Sequence, residues 1–179
     1  GKNMVVSVSG NITHKEVEDE CKKHLSEITS FESKKNVTPI YTGGQKEYDR
    51  DIEQMQIILG YESVSFEHKD FYPLQIFNYI LGEGMSSRLF QEIREKQGLA
   101  YSIYSFNSSL HDAGVFGVHT SIAPKNKEKT IELVRHIMLD TSTSISDEDL
   151  TNAIKSFRSS LLMSLESSIS RSRRMASSY

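Results

Sequence analysis

A single cysteine, Cys21, stands in 179 residues. One thiol cannot close an intramolecular disulfide, nor can it hold a thiolate zinc site by itself. A reducing compartment is the mild inference. Cys21 falls between Val17 and Leu25 at four-residue spacing, which suits a buried helix face better than a reactive thiol. Long apolar runs are missing as well, so no segment can cross a bilayer as a helix. No secretory leader precedes the first strand-like segment, and Gly1 stands where an initiator Met would, as at the start of a fragment. The net charge of −3 provides no bulk attraction to nucleic acid or to an anionic membrane. The short basic run of Arg171, Arg173 and Arg174 reads as a solvated helix end.

Catalytic signatures are absent too. Neither H-E-x-x-H nor H-x-x-E-H occurs, and the six histidines (His14, His24, His68, His111, His119 and His136) are scattered. His24 has Glu27 three positions on, but Ile28 stands where a second helical ligand would be needed. Ligand spacing therefore argues against a metal site within this chain. No G-x-S-x-G elbow or P-loop is present. Gly82-Glu83-Gly84 lacks the phosphate-binding lysine and follows a helix instead of a strand, so it reads as a helix–helix turn.

What remains is a chain with 37% apolar and 25% charged residues, long enough for one domain with a core or a domain plus part of another. Met4–Ser9 alternates as a strand, and Thr13 and Glu16 form a capping box for a helix with Val17, Cys21, Leu25 and Ile28 on one stripe. From Thr29 to Arg50 no period is sustained, which marks a linker. Met55–Tyr61 alternates again. A helix follows from near Asp70, with Pro73 in its first turn and Leu74, Phe77 and Leu81 inward, stopped by Gly82 and Gly84. Ser86 or Ser87 caps a short helix carrying Leu89, Phe90 and Ile93 inward and ending at Gly98. Leu99–Phe106 and Val115–Ile122 form a hairpin across Asp112-Ala113-Gly114. Two helices complete the pattern, one marked by Ile131, Val134 and Met138. The other is capped by Ser146 and Asp149 and carries Leu150, Ala153, Ile154, Phe157, Leu161 and Leu165. This order predicts an α+β fold. The expected core includes Ile57, Leu59, Leu74, Phe77, Leu89, Phe90, Ile93, Ile131, Val134, Leu150, Ile154 and Phe157.

Two residues within Leu81–Phe106 carry useful chemistry. Arg94 lies near a helix C-terminus, where a cation is favoured, and offers five donors in a fixed fork. Tyr101 lies early in the next strand and offers one hydroxyl. Both suit a carbonyl or an oxyanion. By residue type alone, a solvated ion pair for Arg94 and a half-buried strand aromatic for Tyr101 are the more ordinary roles.

The same segment resembles the signature of the C-terminal half of insulinase/pitrilysin zinc metallopeptidases, most closely the small bacterial and mitochondrial-processing-peptidase-like members. Gly84-Met85-Ser86-Ser87-Arg88-Leu89-Phe90 and Arg94-Glu95-Lys96-Gln97-Gly98-Leu99-Ala100-Tyr101 match it, with Glu83 where glycine is usual. Asn3–Gly10, Gln54–Tyr61, Asp112–Phe116 and Asp149–Glu166 extend the likeness. The resemblance implies one half of a two-half clamshell, with an antiparallel sheet packed against helices. Residues 1–30 would be the last strand and helix of the preceding half, 31–50 the linker, and 51–179 the second half, expected to continue past Tyr179. It implies no cofactor in this chain and zinc in the missing half. Arg94 and Tyr101 would be the substrate-binding residues, with no catalytic or metal residues here. The expected partners are a peptide or unfolded protein and the N-terminal zinc-binding half, with a homodimer left open and neither nucleic acid nor membrane. The compartment implied is the bacterial cytoplasm or a mitochondrial matrix. A scaffold or partner subunit of a processing-peptidase-like complex is the alternative. Retention of both Arg94 and Tyr101 favours the enzyme.

Overall fold

The computed structural model describes residues 4–28, 37 and 39–178. They divide into two compact units, Thr38–Phe157 and Gly1–Val37 with Arg158–Tyr179. The larger unit holds β1 (Met55–Ser63), α2 (Phe71–Gly82), a wide helical turn (Phe90–Lys96), β2 (Ala100–Ser109), β3 (Gly114–Ile122) and α3 (Lys127–Thr143). α1 (His14–Leu25) and α5 (Ser168–Ser177) belong to the smaller unit, and α4 (Asp147–Ser164) runs from one into the other. Among the described residues no helix is long and apolar enough to cross a membrane.

The sheet is antiparallel throughout, in the order β1-β3-β2. Met55, Ile57, Leu59 and Tyr61 oppose Ile122, Thr120, Val118 and Phe116. β2 adds Ile103 opposite Thr120. The period of two puts these residues on one face, which joins Leu81, Leu89, Ile93, Val134 and Ile137 from the helices in a single core. The other face keeps Ile58 and Tyr104 exposed, with the Tyr104 and His119 rings stacked 4.9 Å apart. Phe106 lies over Gly117, its partner in β3, and fills the space a side chain there would need.

The stretch 39–50 has neither helix nor strand, and side chains tie it down. The Tyr41 hydroxyl donates to the Gly60 carbonyl at 2.8 Å, and Lys127 pairs with Glu47 at 2.8 Å. Residues 29–36 and 38 of the expected linker lie outside the described residues.

Several expectations need correction. Met4–Ser9 forms neither helix nor strand among the described residues, and Met4, Val5, Val6 and Val8 are all 45–48% exposed. Alternation is necessary for a strand, yet the ladder needs a partner to receive its hydrogen bonds. The α1 stripe exists, with the Thr13–Glu16 capping box formed, but Val17, Cys21 and Leu25 are only half-buried and Ile28 is exposed. Ser87 does not accept from a helix N-terminus. It is buried, and its hydroxyl donates to the Gly84 carbonyl at 2.7 Å. Leu150 is exposed, while its neighbour Asp149 pairs with Arg88 and Ala153, one turn on from Asp149, is buried.

Gly82 does more than stop α2. A Cβ there would overlap the Ser105 backbone nitrogen and side chain, so only glycine lets the end of α2 rest on β2. The Ser105 hydroxyl seals the contact by donating to the Asn78 carbonyl at 3.1 Å. Gly82→Ala is therefore expected to lower stability by about 1–3 kcal/mol, the cost of overpacking a core that cannot yield. A urea midpoint equal to that of the parent chain would contradict this packing.

Candidate functional site

Arg94 and Tyr101 lie on either side of Gly98, and each occupies a local irregularity. The helix carrying Arg94 is wound wider than an α-helix, as a π-helical turn over Phe90–Lys96. Such turns hold one residue more per closure than an α-helix and are found often at functional sites. Its end is wide as well. The Gly98 N–H donates to the Arg94 carbonyl at 3.1 Å, and the Leu99 N–H reaches back six residues to the Ile93 carbonyl at 3.0 Å. Gly98 makes the reversal possible with φ +58°, a conformation glycine adopts freely.

The strand that follows contains an extra residue too. Ala100 opposes Ile122 and Ser102 opposes Ser121, so two steps along β2 match one along β3. Tyr101 is the surplus residue of a β-bulge. Strict alternation counted back from the buried Ile103 would turn Tyr101 inward and Ala100 outward. The bulge reverses that phase, leaving Ala100 7% and Tyr101 72% exposed.

Neither side chain is consumed by its own unit. The Arg94 guanidinium sits over the Phe90 ring at 4.6 Å and approaches Glu95 only at 4.0 Å, with its side chain 43% exposed. A pair so loose and wet contributes little. Among the described residues, neither the Arg94 guanidinium nor the Tyr101 hydroxyl donates a hydrogen bond. The arrangement presents one planar cation, supported from beneath by an aromatic face, and one phenolic donor.

Metal chemistry finds no such preparation. Among the described residues no three His, Cys, Asp or Glu side chains gather into a group that could hold a metal ion. His24, His68 and His111 each meet a single carboxylate, from Glu20, Asp70 and Glu67 respectively.

The sequence pattern of the peptidase M16 inactive domain matches residues 1–157. The chain belongs to the peptidase M16 inactive-domain family. The resemblance drawn from the two motifs holds. An uncharacterized zinc protease of Rickettsia bellii is 35% identical over 99% of this chain and 43% of its own length. The uncharacterized zinc protease YmxG of Bacillus subtilis is 31% identical over 94% of this chain and 41% of its own length. The fold is similar to that of a protease from Helicobacter pylori, with a TM-score of 0.70 at 24% identity, over 94% of this chain and 43% of that one. This M16 domain thus spans less than half the length of each of these three proteins.

One residue of the matching motif has a structural role that sequence reasoning missed. Arg88 is only 23% exposed, and its guanidinium reaches three partners across the fold. Nη1 donates to Ser144 Oγ at 2.6 Å and approaches Asp140 Oδ2 at 3.5 Å. Nη2 donates to the Ser144 carbonyl at 2.9 Å and to Asp149 Oδ2 at 3.0 Å. Ser144 is the C-cap of α3, whose unpaired carbonyls favour a cation. Arg88 and these partners stand 52–61 positions apart, so no local spacing could reveal them.

Asp149 joins this cluster to a capping box, which the sequence did predict. The Ser146 N–H donates to Asp149 Oδ2, and the Asp149 N–H to Ser146 Oγ, both at 3.1 Å. The Ser146 backbone bond first, then the Ser146 hydroxyl and Arg88, hold the Asp149 carboxyl below the ordinary aspartate range. A depressed carboxyl stabilises the fold above its unfolded pKa and loses that contribution as pH falls through its folded one. Stability of the parent chain is therefore expected to fall below about pH 4, and Asp149→Asn to flatten that acid limb. Identical pH profiles of the urea midpoint for the two chains would exclude it.

Proposed function

We propose that this domain is the non-catalytic half of a two-half zinc peptidase, and that Arg94 and Tyr101 donate to a peptide near the bond to be cut. The observation that carries the reading is that a bulge turns Tyr101 to solvent and that Arg94, within a π-helical turn, is partly exposed, with the donors of both unused by their own unit. A π-turn and a bulge on either side of one glycine are costly for a scaffold that gains nothing from them. They are reasonable for a surface that must hold two donors ready for substrate.

In this reading residues 1–30 complete the preceding half, 31–50 form the linker and 51–179 the second half. The unpaired Met4–Ser9 segment supports it, since a strand with no ladder here would find one in the other half. Zinc would be held by that half, where it would supply the activation of water for peptide hydrolysis. Arg94 would orient the carbonyl through its planar fork. Tyr101 would donate its hydroxyl proton in a hydrogen bond to the oxygen on which negative charge develops.

In the two-half protein, Arg94→Ala and Tyr101→Phe are each expected to lower kcat/KM on an internally quenched peptide by about 10²–10³-fold, the scale of one lost oxyanion donor. The urea midpoint should barely move, because both side chains are exposed. A large loss of stability with normal specific activity in the folded fraction would make both residues structural.

A further inference from the structure

We propose that Arg88 is a positioning residue that holds Arg94 in place, by pinning the start of the π-turn helix to the junction between α3 and α4. This rests on the reading of Arg94 as a peptide-binding donor. The guanidinium of Arg88 closes on the α3 C-cap residue Ser144 and on Asp149 in the first turn of α4. The next residue, Leu89, is fully buried, and the one after it, Phe90, supplies the ring on which Arg94 rests. Any drift of the backbone at Arg88 passes through Leu89 to that ring and so to the guanidinium of Arg94.

The charge placement says that this contact is built for a purpose. A cation at a helix N-terminus opposes the helix dipole, and Arg88 sits at the start of its own helix. It is accommodated because its head group lies instead at the C-terminal end of α3, against a carboxylate held ionised by the α4 capping box. Lysine could satisfy one of these partners but could not span all of them, because the planar fork is what reaches both oxygens of Ser144 and the carboxylate together. The π-turn adds the reason for a clamp. An extra residue in a helix leaves the following turns free to shift in register, and Gly98 secures only the far end.

The test is a double-mutant cycle in the two-half protein, read with an internally quenched peptide, together with amide exchange of the same variants. Arg88→Ala is expected to lower kcat/KM on the order of 10–100-fold, the scale of a catalytic group misplaced by about 1 Å, and Arg88→Lys to restore only part of it. In an Arg94→Ala background, Arg88→Ala should cost nothing further, because the two act as one unit. Amides of Phe90–Gly98 should exchange faster while those of β1 and β3 keep the parent rate. Additive losses, full rescue by lysine, or faster exchange across the whole sheet would make Arg88 an ordinary stabilising contact and overturn the proposal. If Arg94→Ala alone leaves turnover unchanged, the reading of Arg94 fails first and the proposal falls with it. Exchange at Phe90–Gly98 then still reports whether the clamp exists.

Discussion

The contact between α2 and β2 at Gly82 brings the end of α2 against the Ser105 backbone, closer than any side chain there would allow. A sheet of three strands has little surface to bury, and here helices cover only one of its faces. The core therefore depends on close approach. Leu81, next to Gly82, is fully buried, as are Leu89, Ile93, Val118 and Val134, side chains of a kind each worth about 1.5–3 kcal/mol when taken from water. Were α2 held off by one methyl group, this set would lose contacts together, because packed interiors do not yield smoothly.

Around that fixed base, two insertions of one residue each decide what faces outward. The π-turn shifts the helical phase before Gly98, and the bulge shifts the strand phase after it. Each is a local departure from the regular period. Together they let Leu99 and Ala100 enter the core while Tyr101 leaves it. A regular helix followed by a regular strand would have buried the tyrosine and exposed the alanine. The same departures place the candidate site residues Arg94 and Tyr101 on either side of Gly98.

The smaller unit shows the opposite condition. α1 is well capped and has an apolar stripe, but none of its described residues is buried. Local signals suffice to form a helix of twelve residues. They do not supply the surface that would cover it.

Local periodicity and turn chemistry determined the order of elements in the larger unit, the two capping boxes at Thr13 and Ser146, the hairpin across Asp112–Gly114 and the reversal at Gly98, but not the helix α5 in the tail. These depend on neighbours a few residues apart, which the sequence displays directly. The motif from Gly84 to Tyr101 likewise identified the family and singled out Arg94 and Tyr101. What only the tertiary structure decided are features that couple distant residues or shift a period by one. Met4–Ser9 has strand alternation but no described ladder partner. Leu150 is exposed while its neighbour Asp149 pairs with Arg88. The Tyr101 bulge can be seen only against the register of β3, since an extra residue in one strand has no meaning without the strand beside it.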